Sequence, residues 1–148
     1  MKRQKLQMLL DAVESELSKA ALHYKENKIA SEKMNETTRT SWSAAGDREY
    51  AKDQEEVTKM NLDMLKNLSK ELKKAVNNKY PDKIEPPCFV RVHIDGEDIE
   101  FYLVENVASV EGFKIVSISS PVGKELLKKK KYDIYKYTDI KGKIIGIE

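Results

Sequence analysis

Residues 1–78 contain no proline and a single glycine, Gly46. This constrains the fold more than any other feature, because the two strongest helix breakers are almost absent from about half the chain. Within that half, Leu6, Leu10, Val13, Leu17, Ala20 and Tyr24 recur four and three positions apart, which keeps one apolar seam facing a partner helix. Continued at this spacing, the seam reaches Asn27, Ser31 and Met34 and loses its apolar character. Beyond Gly46, a second stripe runs through Val57, Asn61, Met64, Leu68 and Leu72, again richest in leucine at its far end. Asn27 and Asn61 are expected as buried polar residues that set the register. The run "NETTRTSWS" supplies poor helix formers ahead of Gly46, and together they predict a turn. The expectation is an antiparallel coiled-coil hairpin over 1–78, with its tip at about 40–50 and arms roughly 45–50 Å long. One continuous helix is the competing reading, since Gly46 alone costs only about 1 kcal/mol.

The pattern changes near Tyr80. All four prolines and the other five glycines lie beyond it. "NNKYPDKIEPPCF" cannot continue a helix and predicts a linker at 79–87. From residue 88 to 148 the period is that of strands. "CFVRVHI" and "IEFYLVE" flank an acidic turn at "DGED" and read as a hairpin. "FKIVSIS" is a third strand, and "KYDIYKYT" and "KGKIIGIE" are two more around a turn near Asp139. Between them "SPVGKELLKK" reads as a short helix, with Ser120 as its cap and Pro121 at the first helical position. The predicted class is α+β: a helical hairpin, then a small antiparallel sheet with one short helix.

Charge and cysteine content narrow the functional classes. Charged residues make up 35% of the chain but the net charge is only +2, so bulk electrostatics do not mark a nucleic-acid binder. One cysteine, Cys88, excludes an intramolecular disulfide and a multi-cysteine zinc site. Asp11, Glu14 and Glu16 interrupt any apolar core of a signal peptide, and no run approaches a membrane span. A soluble, cytoplasmic protein with no membrane association and no small-molecule substrate is expected.

Few residues invite chemistry. "GDREYAKDQEE" crowds Asp47, Glu49, Asp53, Glu55 and Glu56 together. One reading is a solvated helix start, with Asp47 as N-cap and Glu49 near the positive end of the dipole. The other is a pair of carboxylates, Asp47 and Glu49, carried on a rod to a metal ion held elsewhere; Mg²⁺ takes only one or two protein carboxylates and keeps its waters. His23 and His93 have no ligand neighbours at helical or strand spacing. Cys88 has no activating cation or base in its sequence surroundings. "KKKK" at 128–131 reads either as a phosphate contact or as the exposed end of a short helix. Trp42, at the expected tip, is a candidate for local packing or for partner contact. No phosphate-cradling glycine loop or nucleophile–base motif is present.

"KIVSISSPVGKELLKKK" resembles the C-terminal signature of the bacterial Gre transcript-cleavage factors, through Ile115, Ser117, Ser119, Ser120, Pro121, Gly123, Lys124, Leu126 and Leu127. "GDREYAKDQEE" is similar to a shortened form of that family's acidic tip. The order of hairpin, proline-bearing linker and small FKBP-like domain also agrees. The resemblance implies a transcription elongation factor rather than an enzyme, with RNA polymerase as partner, indirect contact with nascent RNA, and DNA binding as part of transcription. It implies docking at the secondary channel through the C-terminal domain, with Ser119, Ser120, Pro121, Gly123 and Trp42 as partner-binding residues. It implies no tightly bound cofactor, only Mg²⁺ shared with the polymerase active site and approached by Asp47 and Glu49 to stimulate cleavage of backtracked RNA. The stretch between "GD" and "EY" is shorter than in the family, so Glu49 is either the second tip acid or the Glu of the Glu-Tyr pair. A channel-occupying regulator or inhibitor without cleavage, or a coiled-coil adaptor with an FKBP-like binding domain, are the alternatives.

Overall fold

The computed structural model describes residues 3–37 and 42–148; the side chains of 31, 33–37, 42–48 and 137 lie outside the description. Two 34-residue helices, α1 (Gln4–Thr37) and α2 (Trp42–Ala75), come first. They are antiparallel. The N–H of Arg3 donates to the carbonyl of Val76 at 2.9 Å, and Ser69 donates to the Glu14 carboxylate at 2.6 Å. The continuous-helix reading is therefore excluded. The expected turn at Gly46 is corrected: α2 already runs through Gly46 and Asp47, and residues 38–41 lie outside the described residues. One glycine in a long helix is tolerated because each neighbour still forms its backbone bond.

The seam on α1 follows its expected period through Leu6, Leu10, Val13 and Ala20, with Leu17 and Tyr24 partly buried beside it. Asn27 stays half-buried, with an Nδ2 that has no partner among the described residues, while the side chains of Ser31 and Met34 lie outside the description. On α2 the expected stripe fails in its upper part. Val57, Asn61 and Met64 are exposed, and the buried row runs through Thr58, Leu62, Leu65, Leu68 and Leu72, with Ala51, Ser69 and Ala75 also buried. Both rows satisfy helical spacing. The observed one buries two leucines in place of an asparagine and a methionine. Its polar member is satisfied: the Thr58 hydroxyl bonds the carbonyls of Gln54 and Glu55, both at 2.9 Å. Asn61 is consequently no register marker.

Five strands follow: β1 (Cys88–Ile94), β2 (Glu97–Val104), β3 (Ile115–Ser117), β4 (Ile134–Tyr137) and β5 (Ile140–Ile147), with α3 (Pro121–Leu126) between β3 and β4. The sheet order is β3-β2-β1-β5-β4. Asp95 and Gly96, at φ 50° and 78°, make the two-residue turn between β1 and β2. Positive φ at both positions matches the twist of the flanking strands, which is why Asp-Gly serves there. The expected α+β class holds, but the sheet is mixed rather than wholly antiparallel, because β3 pairs parallel to β2. The connection that returns the chain carries Ala108 and Val110, both buried against the helices, and so fills space that a helix fills in a longer crossover.

Alternation along β1 and β2 builds two cores. Cys88, Val90, Val92, Phe101 and Leu103 point to one face, where they meet Ile84, Leu126, Tyr135 and Ile144. Phe89, Tyr102 and Val104 point to the other, where they join Leu6, Leu9, Leu68, Leu72 and Val76 at the base of the hairpin. The Phe89 and Tyr102 rings meet edge-on with centroids 5.2 Å apart, and the Tyr102 hydroxyl donates to the Lys5 carbonyl at 3.0 Å. Further along the same face the cross-strand pairs turn polar, with Arg91–Glu100 at 2.6 Å and then His93–Asp98 at 2.7 Å.

The linker is bound rather than slack. Ile84 is fully buried; its N–H donates to Lys129 O at 2.7 Å and its carbonyl accepts from Lys128 at 2.9 Å. Arg3 is buried and donates from one guanidinium nitrogen to the main-chain oxygens of Pro87 and Glu148, at 3.1 and 3.0 Å. Burial lowers its pKa.

The seam correction makes a stability prediction. Leu65→Ala should cost about 2–4 kcal/mol by urea denaturation, whereas Met64→Ala should stay within about 0.5 kcal/mol. The Glu14 carboxyl is held below its ordinary value first by the Ser69 hydroxyl and then by Lys73. A depressed folded pKa stabilises the fold above the unfolded value and loses that contribution as pH falls through the folded one. Stability should therefore drop below about pH 4, and Glu14→Gln should reduce the drop by less than about 1 kcal/mol, since the pair is solvent-exposed.

Candidate functional site

Two places bring together residues that the sequence analysis marked. The first is the start of α2. Trp42 is its first residue and Asp47 its sixth, so Asp47 is not an N-cap; the side chains of both lie outside the described residues. Glu49 is exposed. Positions two apart on a helix do not face each other, so a regular helix does not converge positions 47 and 49 on one ion. The described acids on one face are instead Glu49, Asp53 and Glu56, four and then three residues apart and all exposed. Among the described residues no group of three or more His, Cys, Asp or Glu forms a metal-binding cluster. The described carboxylates here therefore make no Mg²⁺ site by themselves.

The second place is built by "SISSPVG". The Ser117 hydroxyl accepts from the N–H of Ser119 at 3.0 Å, and the Ser120 hydroxyl donates to Ser117 O at 2.6 Å. The same Ser120 oxygen accepts from Gly123 N–H at 3.0 Å, which caps α3, and Pro121 follows at the first helical position. The serines therefore serve the backbone first. Ser119 and Pro121 are exposed and Ser120 is half-buried, but Gly123 is buried and so is not a contact residue. A Cβ at Gly123 would overlap Ser117 O and lie 2.7 Å from Ile118 Cα. Glycine is there so that α3 can lie directly on the end of β3.

Six residues of helix span only about 9 Å, less than half the width of five strands at about 4.8 Å spacing. The second sheet face is therefore left partly open. An apolar cleft of about 340 Å³ remains, lined by Val92, Ile99, Phe101, Val116, Pro121 and Tyr135 among others, with Ser120 and Lys114 at its polar margin. The sequence reading found the motif but missed the cleft, whose lining comes from five separate elements. A larger opening of about 450 Å³ at the base of α2 is polar, and its Glu71 is already engaged: the carboxylate accepts from the N–H groups of Glu105 and Asn106 at 2.9 and 2.8 Å.

The remaining candidates are structural. Cys88 is fully buried, and burial pushes its thiol up to about 12, so it is no nucleophile. His93 pairs with Asp98, and His23 is exposed. No helix of the described residues is long and apolar enough to cross a membrane.

The features define a class: a two-helix arm whose second helix carries acids from its sixth residue on, seated on a mixed-sheet body with an apolar cleft. No family model and no curated protein matches the chain. Among solved structures it is similar to GreA factor homolog 1 (Gfh1) of Thermus thermophilus, at 18% identity over 98% of this chain and 93% of that one, with a TM-score of 0.39. It is similar to Gfh1 of Thermus aquaticus at 20% identity, over 98% and 92%, with a TM-score of 0.40. A prokaryotic transcription elongation factor GreA/GreB from Nitrosomonas europaea is similar at 24% identity, over 56% of this chain and 78% of that one, with a TM-score of 0.36. Likenesses this loose carry no argument about function.

The cap network makes its own prediction. Gly123→Ala should cost about 1–3 kcal/mol through forced displacement of backbone, and Ser120→Ala about 1 kcal/mol through loss of the cap. Thermal denaturation of both variants checks the order.

Proposed function

We propose that the chain is an accessory factor of RNA polymerase that docks through its C-terminal body and passes its helical arm into the secondary channel. There its tip acids approach the polymerase's own Mg²⁺ and stimulate cleavage of backtracked RNA. The observation that carries this reading is the placement of the acids. Asp47 and Glu49 lie in the first two turns of α2, at the far end of a 34-residue arm whose other end is seated on the sheet. Such an arm carries these carboxylates about 40 Å from its base. The apolar cleft beside Ser120 and Pro121 supports docking by the body, since an open apolar pocket with a polar margin suits a partner's side chain. The outer side of α2 adds support: Tyr50, Val57, Met60 and Met64 recur at helical spacing and are all exposed, as suits an arm that enters a protein-lined channel.

At a two-metal site, Mg²⁺ activates water and neutralises phosphate charge. The part of this chain would be to supply and orient a carboxylate. In this reading the protein is not an enzyme by itself, and it acts in the compartment of transcription, the cytoplasm of a bacterium. A second reading keeps the docking and drops the chemistry. It is favoured by the continuity of α2 through positions 47 and 49, which separates the two acids about the helix axis.

One assay decides between them. Stalled, backtracked elongation complexes are incubated with the protein and with its Asp47→Ala and Glu49→Ala variants. The cleavage reading expects shortened transcripts with the parent protein and at least about a 10²-fold lower rate when an essential acid is lost. Binding to core polymerase without any stimulated cleavage would establish occupancy alone. Failure to bind core polymerase would remove both.

A further inference from the structure

Residues 124–143 hold eight lysines against three acids, although the net charge of the whole chain is only +2. Strand pairing gathers this charge on one face. Ile134 stands opposite Lys143 and Lys136 opposite Lys141, while His93 on β1 stands opposite Lys143 from the other side. This is the open continuation of the face on which the hairpin is seated. Setting Lys136 across from Lys141 places like charges directly opposite each other, which works against strand pairing. No ion pair among the described residues relieves Lys131, Lys136, Lys141 or Lys143. The nearby Asp133 carboxylate is engaged by the N–H of Lys130 at 2.7 Å. These four lysines are thus open to counter-charge from a partner, although Asp95 lines the depression beside Lys143, and Asp98 and Glu100 on the same face are paired with His93 and Arg91.

Tyr132 indicates the chemistry of that partner. Its φ of 74° is in the left-handed region, unfavourable for a residue with a large side chain. It is held there by its own N–H, which donates to Ile144 O at 2.6 Å, and by Ile144 N–H, which donates to Asp133 O at 2.9 Å. The residue is 63% exposed, with Lys131 Nζ 5.0 Å and Lys143 Nζ 5.6 Å from its ring centroid. Beside Lys143 lies a shallow depression of about 250 Å³, lined also by His93 and the exposed Ile134.

We propose that this face binds single-stranded nucleic acid, with Tyr132 as a stacking platform and Lys131, Lys136, Lys141 and Lys143 as phosphate contacts. An unpaired strand offers both spaced phosphates and free base faces, which an open ring among lysines can use together. An acidic protein surface would satisfy the lysines and leave the ring idle. A duplex would offer phosphates with its bases stacked away. The site lies on the body, apart from the arm's acidic end, and the inference does not depend on the polymerase reading.

The test is fluorescence anisotropy of the full chain with labelled single-stranded oligonucleotides of about 12 residues, at several salt concentrations. Binding should weaken steeply with salt. Tyr132→Ala should reduce affinity by at least about fivefold while Tyr132→Trp retains it. The double change Lys136→Gln with Lys141→Gln, at exposed positions, should lower the slope of log K against log salt by about 1.4. Absence of binding at low salt would overturn the proposal, as would an unchanged slope in the double variant. So would equal or tighter binding of duplex, or polyglutamate competing equally well with no effect of Tyr132→Ala.

Discussion

The seating of the hairpin on one end of the sheet is the contact on which the rest of the molecule depends. Phe89 and Tyr102, opposite each other on β1 and β2, meet the leucines at the base of α1 and α2 in one continuous core. Two polar links frame it. Arg3 reaches from the start of α1 to the main chain at Pro87 and Glu148, and Glu71 reaches from α2 to the main chain at Glu105 and Asn106. The first is buried and replaces water that the guanidinium has lost. Because the links come from the bases of the two helices and land just beyond the ends of different strands, the root of the arm is fixed relative to the body.

That arrangement separates three surfaces. The hairpin occupies one end of the first sheet face, and its other end is left to Arg91, His93 and the lysines of β4 and β5. The second face is only partly covered by α3, which leaves the apolar cleft. The acids of α2 are carried away from both. Under the proposed function the cleft would dock the body and the remote acids would act inside the partner. The lysine face is not needed for either task, which is why it stands as a separate inference.

Much of the architecture was legible because local signals act over a few residues. The switch in period near Tyr80, the Asp95-Gly96 turn and the Ser120-Pro121 cap each rest on neighbours in sequence. The site was less legible. Ser120 and Pro121 were visible as a motif, but the cleft they border is lined from β1, β2, β3 and β4 as well. Gly123 looked like part of a contact surface and is buried under its own helix, because its role is set by how closely α3 approaches β3. Asp47 looked like a cap beside a turn. The helix in fact starts five residues earlier, where no single strong breaker marks the boundary.

By itself, the sequence determined the partition into a helical arm and a sheet body, since 3.6-residue and 2-residue periods cannot be exchanged. It also determined the caps and the tight turn, where backbone angles favour particular residues. Only the tertiary structure decided which of two rows on α2 became the seam, because Leu62 and Leu65 prevail over Asn61 and Met64 only when α1 is there to bury them. It alone set β3 parallel to β2, and it alone brought Lys131, after α3, and Lys143, on β5, together around Tyr132. Those outcomes depend on free energies of contact between residues distant in the chain, and no window of neighbouring residues contains them.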